Sequence, residues 1–238
     1  MPEITSSLFW IAVLQIIAID IMLGGDNAVV IALACRKLPE EQRKKGIFWG
    51  VIGAIGLRVV MIFFALQLLA LPYLKIVGAL LLLWIGIKLM LPEGDDSHDG
   101  IDGGTTLAAA IKTIVVADAV MSLDNVIAVA GASHGSLTLV TFGILVSIPI
   151  VVWGSKLVLA LMDRYPMVIT LGAALLGWIA GGMLLTDPAM PESVAKAVPY
   201  GSYVFGALGA ALVVLVGTLL ARKHASAPAR EISTSTHD

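Results

Sequence analysis

Seven apolar runs, each near the length of a bilayer crossing, occupy most of the chain: residues 7–35, 46–70, 73–91, 105–132, 136–161, 167–186 and 200–221. A helix needs about 20 apolar residues to cross the hydrocarbon layer. The 238 residues are 58% hydrophobic and only 13% charged, more apolar surface than one soluble core of this size can hide. The expected fold is therefore all-α, a polytopic membrane protein of seven transmembrane helices with the lipid bilayer as its solvent. A net charge of −2 gives no reason to expect nucleic acid as a partner. Cys35 is the single cysteine, so no internal disulfide or thiolate metal site is expected, only a small buried side chain. The first run has no basic segment before it and is too long for a signal peptide core, so it reads as a first span.

Basic residues set the expected orientation. Arg36, Lys37, Arg43, Lys44 and Lys45 follow the first run, Arg164 follows the fifth, and Arg222 and Lys223 follow the seventh. With seven crossings these fall on one side, facing little beyond Lys75 and Lys196. That places the N-terminus outside and the C-terminus in the cytoplasm.

Spans one and four repeat each other. A-I-D-I-M-L-G-G-D-N from Ala18 aligns with V-A-D-A-V-M-S-L-D-N from Val116, matching Asp20 to Asp118, Asp26 to Asp124 and Asn27 to Asn125 at a single offset. The stretch around Trp84 likewise resembles that around Trp178. The expected organisation is a first three-helix repeat (1–91), an acidic cytoplasmic loop (92–104), a second three-helix repeat (105–187), a seventh helix (188–221) and a disordered tail (222–238). Three is odd, so the second repeat enters the membrane inverted. Inverted repeats are a transporter architecture, with the site near mid-membrane where they meet.

Four aspartates lie inside these apolar spans, and each charged carboxylate at mid-bilayer costs at least ~2.5 kcal/mol. Arg58, Lys112 and Lys156 are candidate charge partners or gating residues. Arg58 and Lys156 follow the similar strings G-L-R and G-S-K, yet three bases cannot neutralise four acids. In an unbroken helix Asp20 and Asp26 would stand roughly 9 Å apart along the axis and about 120° apart in facing. Gly24 and Gly25 lie between them, so a break there is expected, freeing carbonyls and bringing the carboxylates together. Ser122 holds the corresponding place in span four, where a break or a hydroxyl ligand is expected. The candidate metal ligands are Asp20, Asp26, Asn27, Asp118, Asp124 and Asn125. Hard oxygen donors suit Mn²⁺, Mg²⁺ or Ca²⁺ and disfavour Zn²⁺ and Cu⁺. Thioethers at Met22 and Met121, if they ligate rather than pack, would favour Mn²⁺ over Mg²⁺. His98, His134, His224 and His237 fall in loops or at ends and read as solvated. A crowded carboxylate cluster also holds protons, which makes cation/proton exchange a natural expectation. Glycines in G-V-I-G-A-I-G (50–56) suggest close helix packing.

At these residues the chain resembles the TerC family of integral membrane proteins, most closely its YjbE-type branch. The likeness is carried by D-I-M-L-G-G-D-N-A-V-V-I-A-L-A (20–34), R-K-K-G-I-F-W-G (43–50), D-A-V-M-S-L-D-N-V-I-A-V-A-G (118–131) and L-G-W-I-A-G (176–181). It implies a seven-span fold related to the LysE-type transporter superfamily. It also implies manganese export, with Asp20, Asp26, Asp118 and Asp124 as the functional acids. The combined expectation is a carrier, not an enzyme, that moves Mn²⁺ out of the cytoplasm. Mn²⁺ would be its substrate, with no permanently bound cofactor, and a homo-oligomer is compatible with all of this. Alternatives are a non-transporting accessory protein for metal loading or folding of exported proteins, an exporter of a small organic solute, and an intramembrane aspartyl protease. The protease signature wants a glycine where this chain has Leu23.

Overall fold

The computed structural model describes residues 7–64, 67–68, 71–91, 106–132, 137–191 and 198–225. It describes their side chains except at 7–9, 12, 16, 18–24, 124–132, 137–141 and 224–225. The expected acidic loop, His98, His134 and His237, and the side chain of His224, lie outside the described residues.

Seven long helices stand among the described residues, and no strand: α1 (Ser7–Cys35), α2 (Glu40–Phe63), α3 (Leu74–Met90), α4 (Leu107–Ala132), α5 (Leu137–Arg164), α6 (Met167–Leu185) and α7 (Gly201–Ala225). Each matches one apolar run. Helix α2 begins at Glu40 rather than 46, because Pro39 sets the chain entry and Glu40 and Glu41 suit the positive end of the helix. Helix α7 continues to Ala225, so residues 222–225 are helical rather than part of a disordered tail. Arg222 and Lys223 suit its negative end. Helix α5 runs through Pro149, as membrane helices tolerate.

Four segments are long and apolar enough to cross a membrane: all of α2 and α6, residues 142–164 of α5 and residues 201–223 of α7. Helices α1 and α4 have 29 and 26 residues, and α3 has 17, a length of ~26 Å at 1.5 Å per residue. Large apolar side chains face outward on α2 (Trp49, Phe63), α5 (Trp153, Leu157) and α7 (Leu208, Leu215). In water such a surface would drive aggregation, whereas lipid accepts it. The chain is an all-helical polytopic membrane protein.

Packing follows the sequence repeat. Helix α1 lies chiefly on α5, and α2 on α4; α3 pairs with α6 and α1 with α4. Exchanging α1 with α4, α2 with α5 and α3 with α6 carries these pairs into one another. The halves therefore interlock, each lending its first helix to the second helix of the other. Helix α7 packs on α6 and α3.

Polar contacts fix which ends lie together. The Arg36 Nη2 donates to the Leu89 carbonyl at 2.8 Å, and Arg43 pairs with Asp163 at 2.9 Å. The C-terminal ends of α1, α3 and α5 thus share a side with the basic residues. At the other side, Asp187 just beyond α6 accepts from the backbone N–H of Tyr73 (2.9 Å), Lys75 (3.0 Å) and Ile76 (3.3 Å), and of Ala189 (2.7 Å). It caps α3, where Tyr73 sits in the left-handed region at φ 67 and a helix has orphan donors to satisfy.

Glycines set the closest approaches. A Cβ at Gly177 would meet the Gly209 carbonyl and lie 2.9 Å from Ala210 Cα. One at Gly181 would run into the Phe205 carbonyl. These two glycines lie four apart on one face of α6, so α7 docks backbone to backbone. In 50–56, Gly50 and Gly53 admit Ile114 and Val115 of α4 as expected, but a Cβ at Gly56 meets nothing within 4 Å.

Two outcomes follow for folding. Gly181→Val should destabilise by about 1–3 kcal/mol or more, with Gly56→Val near neutral, in thermal unfolding of detergent-purified protein. Burial raises the pKa of Asp187, but the four backbone donors outweigh it and hold the carboxyl below its ordinary value. Its contribution is complete above the unfolded pKa of ~3.9 and is lost as pH falls through the depressed folded value. Asp187→Asn should thus lower the melting temperature at neutral pH, with a gap from wild type that narrows as acid protonates Asp187.

Candidate metal centre

The described polar core lies where α1, α2 and α4 meet. Asp118 and Ser122 are four residues apart on α4 and share one face. Arg58 reaches them from α2. Exposures of 7% for Arg58, 6% for Asp118 and 0% for Ser122 remove all three from solvent and lipid. The Arg58 Nη2 donates to Asp118 Oδ1 at 2.5 Å, and its Nε donates to Ser122 Oγ at 3.0 Å. The Ser122 hydroxyl donates in turn to Asp118 Oδ2 at 3.3 Å. Both oxygens of one buried carboxylate are thereby engaged.

Helix α1 brings Asp26 near this cluster, with Asn27 next to it in the chain. Asn27 is buried at 4% exposure and Asp26 is half-buried. Asp26 lies close enough to Asp118 and Arg58 for their charges to interact. Asp26 Oδ1 and Asn27 Oδ1 are buried with no hydrogen-bond partner among the described residues. Buried acceptors are nearly always satisfied, so an unpartnered carboxylate oxygen and an unpartnered amide oxygen on consecutive residues, with the Asp118 carboxylate within charge range of Asp26, suit a cation. A soft-ligand site has no support: Cys35 is buried on α1 amid apolar neighbours including Ile31, Leu38 and Ile47. Met121 is likewise core.

The structure brings together Asp118, Ser122 and Arg58, with Asp26 within range of their charges and Asn27 beside it in the chain. The side chains of Asp20, Asp124 and Asn125 lie outside the described residues, as does that of Met22. Among the described residues no three of the histidine, cysteine, aspartate and glutamate side chains gather as a metal-binding group.

Two expectations are corrected. Helix α1 is continuous through Gly24 and Gly25, and α4 through Ser122; neither position breaks its helix. Glycine costs a helix about 1 kcal/mol, whereas each backbone group unsatisfied within a bilayer costs several. Ser122 contributes its hydroxyl without unwinding. Lys112 and Lys156 are exposed, and among the described residues neither pairs with Asp26 or Asp118, whose buried partner is Arg58. Long ammonium side chains extend outward to keep the charge hydrated. At the G-S-K string it is Ser155 that is fully buried, its hydroxyl donating to the Val151 carbonyl at 2.7 Å. The role of Ser122 as a bridge was signalled only by its i+4 spacing from Asp118, and that of Asp187 only by its place just past a helix end.

Residues 5–225 match the family model described as "Integral membrane protein TerC family". The chain is 45% identical over 179 residues to the uncharacterized membrane protein YjbE of Bacillus subtilis (strain 168), covering 75% of this chain and 81% of that one. It is 28% identical over 185 residues to the uncharacterized membrane protein YceF of the same organism, covering 74% and 72%. With the inner membrane protein YoaE of Escherichia coli (strain K12) it shares 25% over 233 residues, 90% of this chain but 43% of that one. No solved structure matches.

The burial pattern predicts unequal mutational costs. Arg58→Ala should cost about 3–5 kcal/mol by stranding Asp118, and Lys112→Ala or Lys156→Ala about 0.5 kcal/mol or less. Melting temperatures in detergent check the difference.

Proposed function

The chain belongs to the TerC family of integral membrane proteins, and from that premise we propose that it is a divalent cation carrier whose first substrate is Mn²⁺. One observation carries the reading: two buried oxygens, on Asp26 and its neighbour Asn27, without partners among the described residues, the Asp26 carboxylate lying within charge range of the buried Asp118. Carboxylate and amide oxygens match hard divalent ions and offer nothing to softer ones. The repeat supports a second contribution from Asp20, Asp124 and Asn125. The metal is cargo, and the reading requires no resident cofactor and no enzymatic step.

Orientation follows from charge. The side that gathers Arg36, Arg43 and the end of α5 is the cytoplasmic one by the excess of basic residues. Mn²⁺ would leave from there, across the plasma membrane. Carboxylates released by the metal on the far side can return with protons, so proton-coupled exchange is part of the proposal.

Inside-out vesicles or proteoliposomes loaded with the protein test it. Wild type should accumulate Mn²⁺, and Asp26→Asn and Asn27→Ala, inserted normally, should lose on the order of 100-fold or more in flux. Alkalinisation of the lumen should accompany metal entry in inside-out vesicles. Ca²⁺ and Mg²⁺ in the same vesicles measure selectivity. Silence with all three ions would overturn transport and favour an accessory role in exported-protein metal loading.

A further inference from the structure

Half of the candidate site is open and half is closed. One oxygen each of Asp26 and Asn27 is without a partner among the described residues, but Asp118 is engaged at both oxygens, by Arg58 and by Ser122. Each carboxylate oxygen keeps a further lone pair, but a divalent cation drawn to Asp118 would share that carboxylate with a guanidinium of like charge. Arginine remains protonated under any physiological condition, so its charge cannot be discarded when the metal arrives; it has to move.

We propose that Arg58 is the internal counter-cation of the transport cycle: its guanidinium neutralises Asp118 while the site is empty and yields that carboxylate to the incoming metal. This rests on the carrier reading above. The benefit lies in the empty return step. A carrier that has released its cargo must reorient through the low-dielectric core, and an uncompensated carboxylate there is costly. Arg58 lowers that barrier.

Three features favour a replaceable contact over a permanent cross-link. The Ser122 hydroxyl accepts from Arg58 Nε and donates to Asp118 Oδ2, and a hydroxyl can rotate to other partners when the guanidinium leaves. Arg58 sits on α2, the principal partner of α4, whereas Asp26 and Asn27 sit on α1, which leans on α5. Exchanging Arg58 for a metal therefore trades an α2–α4 tie for an α1–α4 tie and couples occupancy to helix pairing. Lastly, the repeat-related base Lys156 faces outward, so the inverted half does not duplicate the device and the cluster is asymmetric.

The test separates two modes of flux with radiolabelled Mn²⁺ in proteoliposomes. Mn²⁺/Mn²⁺ exchange, with metal on both sides, never requires an empty return; net flux into a metal-free lumen does. Wild type should do both. Arg58→Gln should keep exchange within about threefold while net flux falls on the order of 100-fold, and Arg58→Lys should restore net flux to within about tenfold of wild type. Equal loss of both modes in Arg58→Gln protein that elutes normally would mark the pair as purely structural and overturn the proposal. So would unchanged net flux. If Arg58→Gln does not fold, Arg58→Lys decides: net flux reduced more than exchange supports the proposal, and parallel loss overturns it. A wild type silent in both modes overturns the carrier reading itself, and this proposal with it.

Discussion

A buried charge in a membrane must be answered by another charge or by a ligand, and the interior of this protein is organised around that requirement. Arg58 and Asp118 meet at 2.5 Å with Ser122 completing the contact. Around them α2 lies on α4 with Gly50 and Gly53 allowing the approach of Ile114 and Val115. The glycines let the two backbones come near enough for a side chain of one helix to reach the acid of the other. Asp26 then stands within charge range of this neutralised pair, and one oxygen each of Asp26 and its neighbour Asn27 has no hydrogen-bond partner among the described residues.

The interlocked halves give the arrangement its position. Helix α1 packs on α4 as well as on α5, so the two helices that carry the acidic motifs are in contact. Helices α3, α6 and α7 form the other part, tied by the Gly177 and Gly181 contacts with α7 and by Asp187 at the start of α3. No side chain of the polar cluster comes from that part. Close backbone packing there and exchangeable polar contacts at the cluster divide the labour between scaffold and site.

The span pattern was legible in the sequence because apolar runs of bilayer length have few alternatives, and the repeat was legible because its acids share a single offset. Helix rotation was not. Helices apolar all round carry no stripe to show which face is buried, so Arg58 and Lys156 looked alike after G-L-R and G-S-K although one points inward and the other outward. The Gly24–Gly25 break was misjudged for a related reason. Glycine makes unwinding cheap in isolation, but the bilayer raises the cost of freed backbone groups, and that balance is set by surroundings no local string displays. Asp187 was invisible because its four donors come from its own turn and from a helix more than a hundred residues earlier.

The central claim is that oxygens of the α1 and α4 motifs form one divalent cation site. Electron paramagnetic resonance of Mn²⁺ bound to the purified protein tests it most directly, through stoichiometry and ligand type together. The account predicts one saturable Mn²⁺ per chain with an oxygen-only ligand shell, lost in both Asp26→Asn and Asp118→Asn. Absence of saturable binding, a nitrogen or sulfur ligand, or a signal unchanged in both variants would contradict it.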